Sequence, residues 1–509
     1  MELNIYAISV VAILLATYYV IKKKLKYWQN KGVFVEKPSV PFGNAKNIIL
    51  QKESIGEAIG NFHHLMKSRS IPYGGYYVLT KPIFVPVDIE LIRRIMISDF
   101  DHFTDRLFHS NTSDPLSSHL FARKGESWKN LRQKLSPVFT PSKVKMMYPL
   151  ITESVINLIN LVNAKMEVSN IMDIDSILMK YAMDVTISSS FGVQPNTLKN
   201  NHTVFEQMGK LFFEESLWGA LVRSMSVVYP GLLSFFKIRS VHRSIADFFI
   251  KLTNDIITYR ENNNVVRQDL MHSLLQIRNN VAVEDDKVGF VKNFNDNRAQ
   301  TLTDTDVAAQ CFIFFLGGYE TTSSLISFFL YELAVHQDIQ RKAREEIQMA
   351  RAKYGDQLLH EALNELGYLE KCIKETLRKH ASLPLHSRLC TKDYKIPNSN
   401  VIIEKGTAVF ISVRGLHYDS EFYQDPEIFN PERFTNASKQ PCIWTPFGDG
   451  PRICIGYQMG MAVTKLAIVE FLLNFKFTID CKTESPLSFK KTTFTHRAEN
   501  GIWLNIKKL

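Results

Sequence analysis

Phe447-Gly448-Asp449-Gly450-Pro451-Arg452-Ile453-Cys454-Ile455-Gly456 carries the most specific chemistry in the chain. Its three glycines let the backbone pass close to a flat ligand and turn N–H groups toward a sulfur. Arg452 is placed to neutralise a carboxylate and to favour an ionised thiol at Cys454. The run from Tyr457 to Leu473 is helical in texture, so Cys454 falls just ahead of a helix N-terminus, where the macrodipole also favours a thiolate. These ingredients suit a thiolate bound to a large flat cofactor. The plainer alternative is a glycine-rich turn holding an inert cysteine, and the combination of Phe447, Gly450, Arg452, Cys454 and Gly456 is too specific for it.

The rest of the composition is that of a large globular protein. Of 509 residues, 45% are hydrophobic and 22% charged, with 34 Phe, 19 Tyr and 5 Trp to fill a core, which excludes disordered and collagen-like classes. Six scattered cysteines without a Cys-x-x-Cys pair exclude a disulfide framework and a structural zinc site. The net charge of +10 favours acidic partners or anionic membranes, and it is not concentrated in the manner of a nucleic-acid-binding protein.

Nineteen uncharged residues from Leu3 to Ile21, followed by Lys22, Lys23, Lys24 and Lys26, are expected to form a membrane anchor over residues 1–24. Their length matches the hydrocarbon core, and the positive flank puts the body in the cytosol. A cleaved signal peptide would carry its basic residues on the other side. Residues 25–45 are expected to be a basic, Pro-rich linker and residues 46–509 one large domain, mainly α with a minor β part. Tyr73 to Val87 has strand alternation. Helical periodicity runs from about 88 to 380, with one long apolar helix starting at Asp304 and passing into a charged one near His336. Short strands follow residue 380, with a further helix near 457–475. The apolar stretch 211–238 is either a buried helix pair or a second membrane-contacting patch, and 283–300 reads as a surface loop.

Three further motifs are unremarkable when taken singly. Glu375-Thr376-Leu377-Arg378 sets opposite charges three apart on a helix face. Trp128-Lys129-Asn130-Leu131-Arg132 sets an indole and a guanidinium four apart. Gly317-Gly318-Tyr319-Glu320-Thr321-Thr322 puts two glycines, costing about 1 kcal/mol each against alanine, inside an apolar helix. They are worth that cost where a ligand approaches the backbone.

Taken in order along the chain, these motifs resemble the cytochrome P-450 superfamily of haem-thiolate monooxygenases. The resemblance implies haem b with Cys454 as axial ligand and Phe447 beside it, since thiolate ligation favours O–O cleavage. It implies a buried triad of Glu375, Arg378 and Arg433, and haem propionates held by Trp128, Arg132, Arg388 and Arg452. Thr321 and Glu320 would serve dioxygen and proton delivery. Because no dinucleotide fingerprint or flavin motif is present, electrons would come from NADPH through a cytochrome P-450 reductase, with cytochrome b5 as a second candidate donor, at the endoplasmic reticulum membrane. His102-Phe103-Thr104-Asp105-Arg106 and Thr391-Lys392-Asp393-Tyr394-Lys395-Ile396-Pro397 resemble the insect microsomal branch, associated with plant toxins and insecticides. Three features depart from the family pattern: Gln458 where relatives carry Arg, His380-Ala381-Ser382-Leu383-Pro384 in place of a more Pro-rich turn, and His386, which could point into the pocket or toward iron. By position, loop 107–121, Phe312, Phe315, Leu385, His386 and Phe494 are expected to line a lipophilic substrate pocket. A haem-thiolate isomerase or dehydratase and a non-catalytic haem or lipophile-binding protein are the alternatives.

Overall fold

A computed structural model describes residues 2–108, 114–200, 202–213, 241–280, 302–355, 360–435, 440–493 and 495–509, with isolated positions between 219 and 239. The expected loop 283–300, most of 211–238 and Phe494 lie outside the described residues. The principal helices are α1 (Glu2–Lys24), α2 (Ile55–Ser68), α3 (Gly125–Leu135), α4 (Tyr148–Met166), α5 (Ile174–Phe191), α6 (Arg243–Asn263), α7 (Asp304–Val335), α8 (Gln337–Tyr354), α9 (Gly367–Lys379) and α10 (Tyr457–Asn474).

The β part is small. Strands β1 (Tyr73–Val78), β2 (Lys81–Pro86), β3 (Ile171–Asp173), β4 (Leu385–Leu389), β5 (Tyr394–Lys395), β6 (Ile402–Ile403), β7 (Ala408–Ser412), β8 (Phe475–Ile479) and β9 (Trp503–Lys508) form three sheets. The largest has the order β1-β2-β7-β4, with Tyr73 opposite Pro86 and Leu385 opposite Ser412 in antiparallel pairs, and Ile83 parallel to Ala408. The others are β3-β9-β8 and β5-β6.

Helix α7 is the axis of the helical part and packs against α5, α6 and α10. It is apolar all round, as a fully buried helix should be. A capping box starts it: the Thr303 hydroxyl accepts from Asp306 N–H at 3.0 Å, and the Asp306 carboxylate accepts from Thr303 N–H at 3.1 Å. Two apolar cores meet along it. Val307 to Tyr319 belong to one with α3, α5 and α6, and Leu325 to Ala334 to the other with α4, α9 and α10. Between them lies the polar run Glu320-Thr321-Thr322-Ser323-Ser324. The chain breaks at His336 and continues as the charged α8, as the change of texture there implies. Among the described residues, the helix whose length and hydropathy would let it cross a membrane is α7, and most of it is buried. Helix α1 projects its side chains outward, with Tyr6, Ile13 and Leu15 each more than 60% exposed.

The segment that follows α1 packs onto the body: Leu25, Trp28 and Val33 are buried in a core with Tyr77 and Phe84. Trp28 lies so tightly over Gly75 that a Cβ there would collide with the indole, and its backbone N–H donates to the Tyr77 hydroxyl at 2.9 Å.

The C-terminal end of α7 is tied to the end of α9 through Glu332, which meets His380 Nε2 at 2.6 Å and Lys379 Nζ at 3.0 Å. Burial works to raise this carboxyl. The His380 N–H and the Lys379 ammonium outweigh burial and pull it down to about 2. Burial keeps the His380 ring itself below its ordinary value, so at pH 7 the ring acts as a neutral donor. A carboxyl lowered by folding adds stability above its ordinary value of 4.5, and that stability drains away as pH falls toward about 2. Glu332→Gln should therefore cost on the order of 3 kcal/mol at pH 7. In denaturant unfolding, its gap from the unsubstituted protein should narrow as pH is lowered below about 4.5.

Candidate functional site

The loop before α10 is built from local turn chemistry. Asp449 accepts from Gly450 N–H at 2.8 Å and from Cys442 N–H at 2.9 Å, stapling the turn. Gly450 has φ +68°, and a Cβ there would run into the Met96 carbonyl, so glycine alone fits. Cys454 N–H donates to the Phe447 carbonyl at 2.9 Å, and Gly456 N–H is directed at the Cys454 sulfur. Cys454 is set among protein atoms, yet the residue keeps accessible surface. Burial raises its thiol above the ordinary value despite Gly456 N–H, Arg106 and Arg132. The helix terminus alone therefore does not ionise it, and a bound cation would be needed to hold a thiolate.

A second group of residues suspends this loop. Glu375 and Arg378, with no exposed side-chain surface, form a two-pronged ion pair at 2.8 and 2.9 Å. Arg433 adds a contact to Glu375 at 3.3 Å and donates to the Asp425 carbonyl at 2.7 Å. Arg378 also donates to the His417 carbonyl at 2.9 Å. His417 Nδ1–H donates to the Arg378 carbonyl at 2.9 Å, and its Nε2 accepts from Thr445 N–H at 3.0 Å. On the other side of the same residue, His386 Nε2–H donates to the Thr445 carbonyl at 2.8 Å. Because that carbonyl can only accept, the His386 tautomer is fixed. Burial pushes both imidazoles down to about 3, so they stay neutral. His386 is thus engaged with the cysteine loop rather than free to ligate iron.

Four guanidiniums gather beside the loop. Arg452 donates to the carbonyls of Thr104 (2.9 Å) and Arg123 (3.0 Å), and lies 3.8 Å from the Trp128 ring centroid. Arg106 donates to the Arg452 carbonyl at 2.8 Å and stacks 3.9 Å over Phe121. Arg388 is 1% exposed and donates from Nη1 to the Ser387 carbonyl. Arg132 lies within electrostatic reach of Cys454, Arg106 and Arg452. Burial lowers Arg388 to about 10. Burial together with neighbouring arginines lowers Arg452 to about 9 and Arg106 well below its ordinary value. The carboxylate facing Arg452, Asp105, stands 3.9 Å away, and Arg388 Nε and Arg452 Nη1 are buried with no partner among the described residues. Such an excess of buried positive charge calls for a polyanion. The two propionates of a haem fit the demand, and the free Cys454 sulfur fits its iron. No group of three His, Cys, Asp or Glu side chains among the described residues could hold a bare metal ion instead.

The middle of α7 supplies an open face. A Cβ at Gly317 would meet nothing within 4 Å. Gly317 is exposed and Ile313 and Thr321 are partly so, four residues apart on one stripe. The Thr321 hydroxyl donates to the Gly317 carbonyl at 2.5 Å. Glu320 points elsewhere: it is buried, with Arg497 Nη1 3.7 Å from Oε1.

The expected pocket residues are distributed differently. Phe312 and Phe315 lie on the far side of α7, packed on Phe249 at 5.2 and 5.4 Å between ring centroids, with no free surface. Leu385 is buried in the core beneath the large sheet. Gln458 is exposed. Arg106, His417 and Ile313 were not anticipated. Ile313 could have been found by counting two four-residue steps back from Thr321. Arg106 and His417 carry no local signal, since their partners lie far along the chain.

Removing Arg388 should act with opposite signs on the empty and the loaded chain. Arg388→Met should stabilise the haem-free protein by about 1–3 kcal/mol in denaturant unfolding, because an unpartnered buried charge disappears. It should also speed haem loss to an acceptor globin by about tenfold or more, consistent with losing a charge-assisted bond.

Comparison with known proteins agrees with this geometry. The cytochrome P450 family model matches residues 38–504. Cytochrome P450 6A1 of Musca domestica is 35% identical, covering 99% of this chain and 98% of the relative. Probable cytochrome P450 6a14 of Drosophila melanogaster is 34% identical, covering 99% of this chain and 100% of the relative. Cytochrome P450 6a2 of the same fly is 32% identical over 99% of both. A family model spanning nearly the whole body, with full-length relatives at a third identity, establishes that the chain belongs to the cytochrome P450 family of haem-thiolate monooxygenases, in its insect family-6 branch.

Proposed function

We propose that this chain is a microsomal monooxygenase for lipophilic small molecules such as plant toxins or insecticides, with Cys454 as the thiolate ligand of its haem. The observation that carries the reading is the free, accessible Cys454 beside a cluster of four arginines, of which Arg388 and Arg452 are buried and Arg106 and Arg132 half-buried. When bound, haem b supplies the oxygen chemistry, inserting one atom of O2 into substrate and reducing the other to water. The chain's own residues do the remaining work. Gly456 N–H steadies the sulfur's negative charge, and Phe447 receives the Cys454 N–H that fixes the loop. Arg106, Arg132, Arg388 and Arg452 would hold the propionates, with Trp128 supporting Arg452. Glu375, Arg378 and Arg433 keep the cysteine loop in place. Thr321 presents a hydroxyl on the open stripe of α7, and Glu320 is the acid next to it in the chain. Ile313 and Gly317 make the rest of that stripe apolar, which suits a lipophilic substrate.

The exposed apolar face of α1, ending in Lys22–Lys24, supports an anchor over residues 1–24 in the endoplasmic reticulum membrane, with the body in the cytosol. Lys24 lies 5.9 Å from the Tyr229 ring, and the Tyr229 hydroxyl pairs with Thr80 at 2.9 Å. Tyr229 thus lies near the base of α1, and this contact together with the exposed Phe235 and Phe236 supports membrane contact by these residues. Exposed Lys124 and Lys129 flank Trp128 around the start of α3 and suit an acidic NADPH-dependent reductase, or cytochrome b5, as electron donor.

In membranes co-expressing a reductase, the reduced carbon-monoxide spectrum should show a thiolate-type Soret band, with NADPH-dependent oxidation of apolar probes. Cys454→Ala should lose the band and lower turnover by at least about 10³-fold, the scale expected when a group essential to the chemistry is removed. A thiolate-type band in Cys454→Ala would refute the ligand assignment.

A further inference from the structure

Glu320 occupies an unusual position. It opens the polar run between the two cores of α7, its side chain is 1% exposed, and neither carboxyl oxygen has a hydrogen-bond partner among the described residues. Elements from two distant parts of the chain converge on it. Arg497, in the C-terminal loop, stands 3.7 Å from Oε1 and is itself held by Asp175 of α5 at 2.6 Å. Asp175 is steadied in turn by the Ser327 hydroxyl at 3.1 Å, two turns further along the same face of α7. The loop is fastened at its base, where Lys490 N–H donates to the Arg497 carbonyl at 2.9 Å.

We propose that Arg497 and Asp175 are positioning residues that hold Glu320 as a proton-exchanging group behind Thr321. The inference rests on the monooxygenase reading for its consequence, though not for its geometry. Arg497 and Asp175 cancel each other's charge. With Glu320 protonated the buried trio is neutral, and with Glu320 ionised it carries one net negative charge. Burial therefore favours the acid, and the Thr495 hydroxyl and Arg497, the latter shared with Asp175, only partly offset it. The result is a carboxyl raised to about 7, able to give and regain a proton near neutrality. The remaining groups facing this site are Lys490 in the same loop, Tyr319 on α7, and Glu206 behind Tyr319, with Thr495 beside the carboxyl. In the exchange, the Glu320 O–H bond breaks as its proton forms a new O–H bond to a water molecule on the Thr321 side. The carboxylate then faces Arg497 and is reprotonated from solvent water.

The two partners predict opposite effects, which a merely structural role would not produce. Losing Arg497's charge removes support for the carboxylate, and losing Asp175's charge frees Arg497 to support it more. The test is an infrared pH titration of the full-length haem-loaded protein, following the protonated-carboxyl stretch assigned by its loss in Glu320→Gln. Arg497→Gln should move the midpoint up by about one pH unit or more, and Asp175→Asn should move it down by a similar amount. Arg497→Lys should stay near the unsubstituted value and serves as the folding control. The pH profile of product formed per NADPH should shift in the same two directions with the probe's KM unchanged. Midpoints that stay put, or that move together, overturn the proposal. So does a titrating band that survives Glu320→Gln. Because the infrared signal needs no turnover, opposite shifts in a protein that oxidises nothing would count against the monooxygenase reading alone.

Discussion

The Glu375–Arg378 pair is withdrawn from water on both sides, and everything around the cysteine loop is arranged to make that tolerable. Removing two charges from solvent costs several kcal/mol per ion, so their mutual attraction suffices only if the remaining donors and acceptors are also served. The structure meets this condition. Glu375 accepts from Arg378, Arg433 and Asn430 N–H, and Arg378 reaches the carbonyls of His417 and Ile428. The consequence is mechanical. Each bond that satisfies the pair also fixes a backbone position in the segment 417–433, and His417 carries the constraint to Thr445 and so to the loop of Cys454. An apolar pair of equal volume could match the stability and would still lose this chain of fixed positions.

The arginine cluster follows the opposite rule. Arg106, Arg132, Arg388 and Arg452 are brought together with less negative charge than they need, and two of their nitrogens are left without partners. In a finished core such a group would be a defect. Here it makes sense as half of an interaction whose other half arrives with the haem. The ligand-free chain thus carries an electrostatic cost that binding relieves, which couples haem uptake to completion of the fold. The two charged clusters sit on either side of one loop, one complete within the chain and the other complete only with its ligand.

How much of this was legible in the sequence depends on the range of the interaction involved. The cysteine loop could be read because turn chemistry is local: Asp449, Gly450 and Pro451 specify a turn wherever they fall. The Glu375–Arg378 pair was legible because three residues on a helix share a face, and the strand pair around 73–86 because alternation survives in one stretch. The facing of Phe312 and Phe315 was not legible. Helix α7 is apolar on every side, so its hydrophobic pattern does not say which face stays open, and only Gly317 and Thr321 mark it. The burial of Trp28 was equally hidden, since nothing near residue 28 reveals the missing side chain at Gly75. Arg106 and His417 act through partners some 30 to 350 residues away, and no periodicity encodes such contacts.

The position of the polar run on α7 resolves a conflict built into the sequence. A 32-residue helix through the middle of a large protein should be apolar throughout, yet the chemistry needs hydroxyls and an acid at its centre. A polar side chain inside one continuous core would cost the contacts on all sides. Where two cores meet, the seam already breaks the apolar packing, and a polar group inserted there displaces least. Gly317 leaves one face of the helix open just before the seam while Gly318 lets Thr186 of α5 pack close on another, and Glu320 and Thr321, about 100° apart as neighbours on a helix, divide the two tasks between them. Thr321 turns to the open face and Glu320 to Arg497 and Asp175 in the protein. One helical turn at a core boundary is therefore able to turn a hydroxyl to the open face of the helix while keeping its carboxyl, and the groups beside it, on the other side.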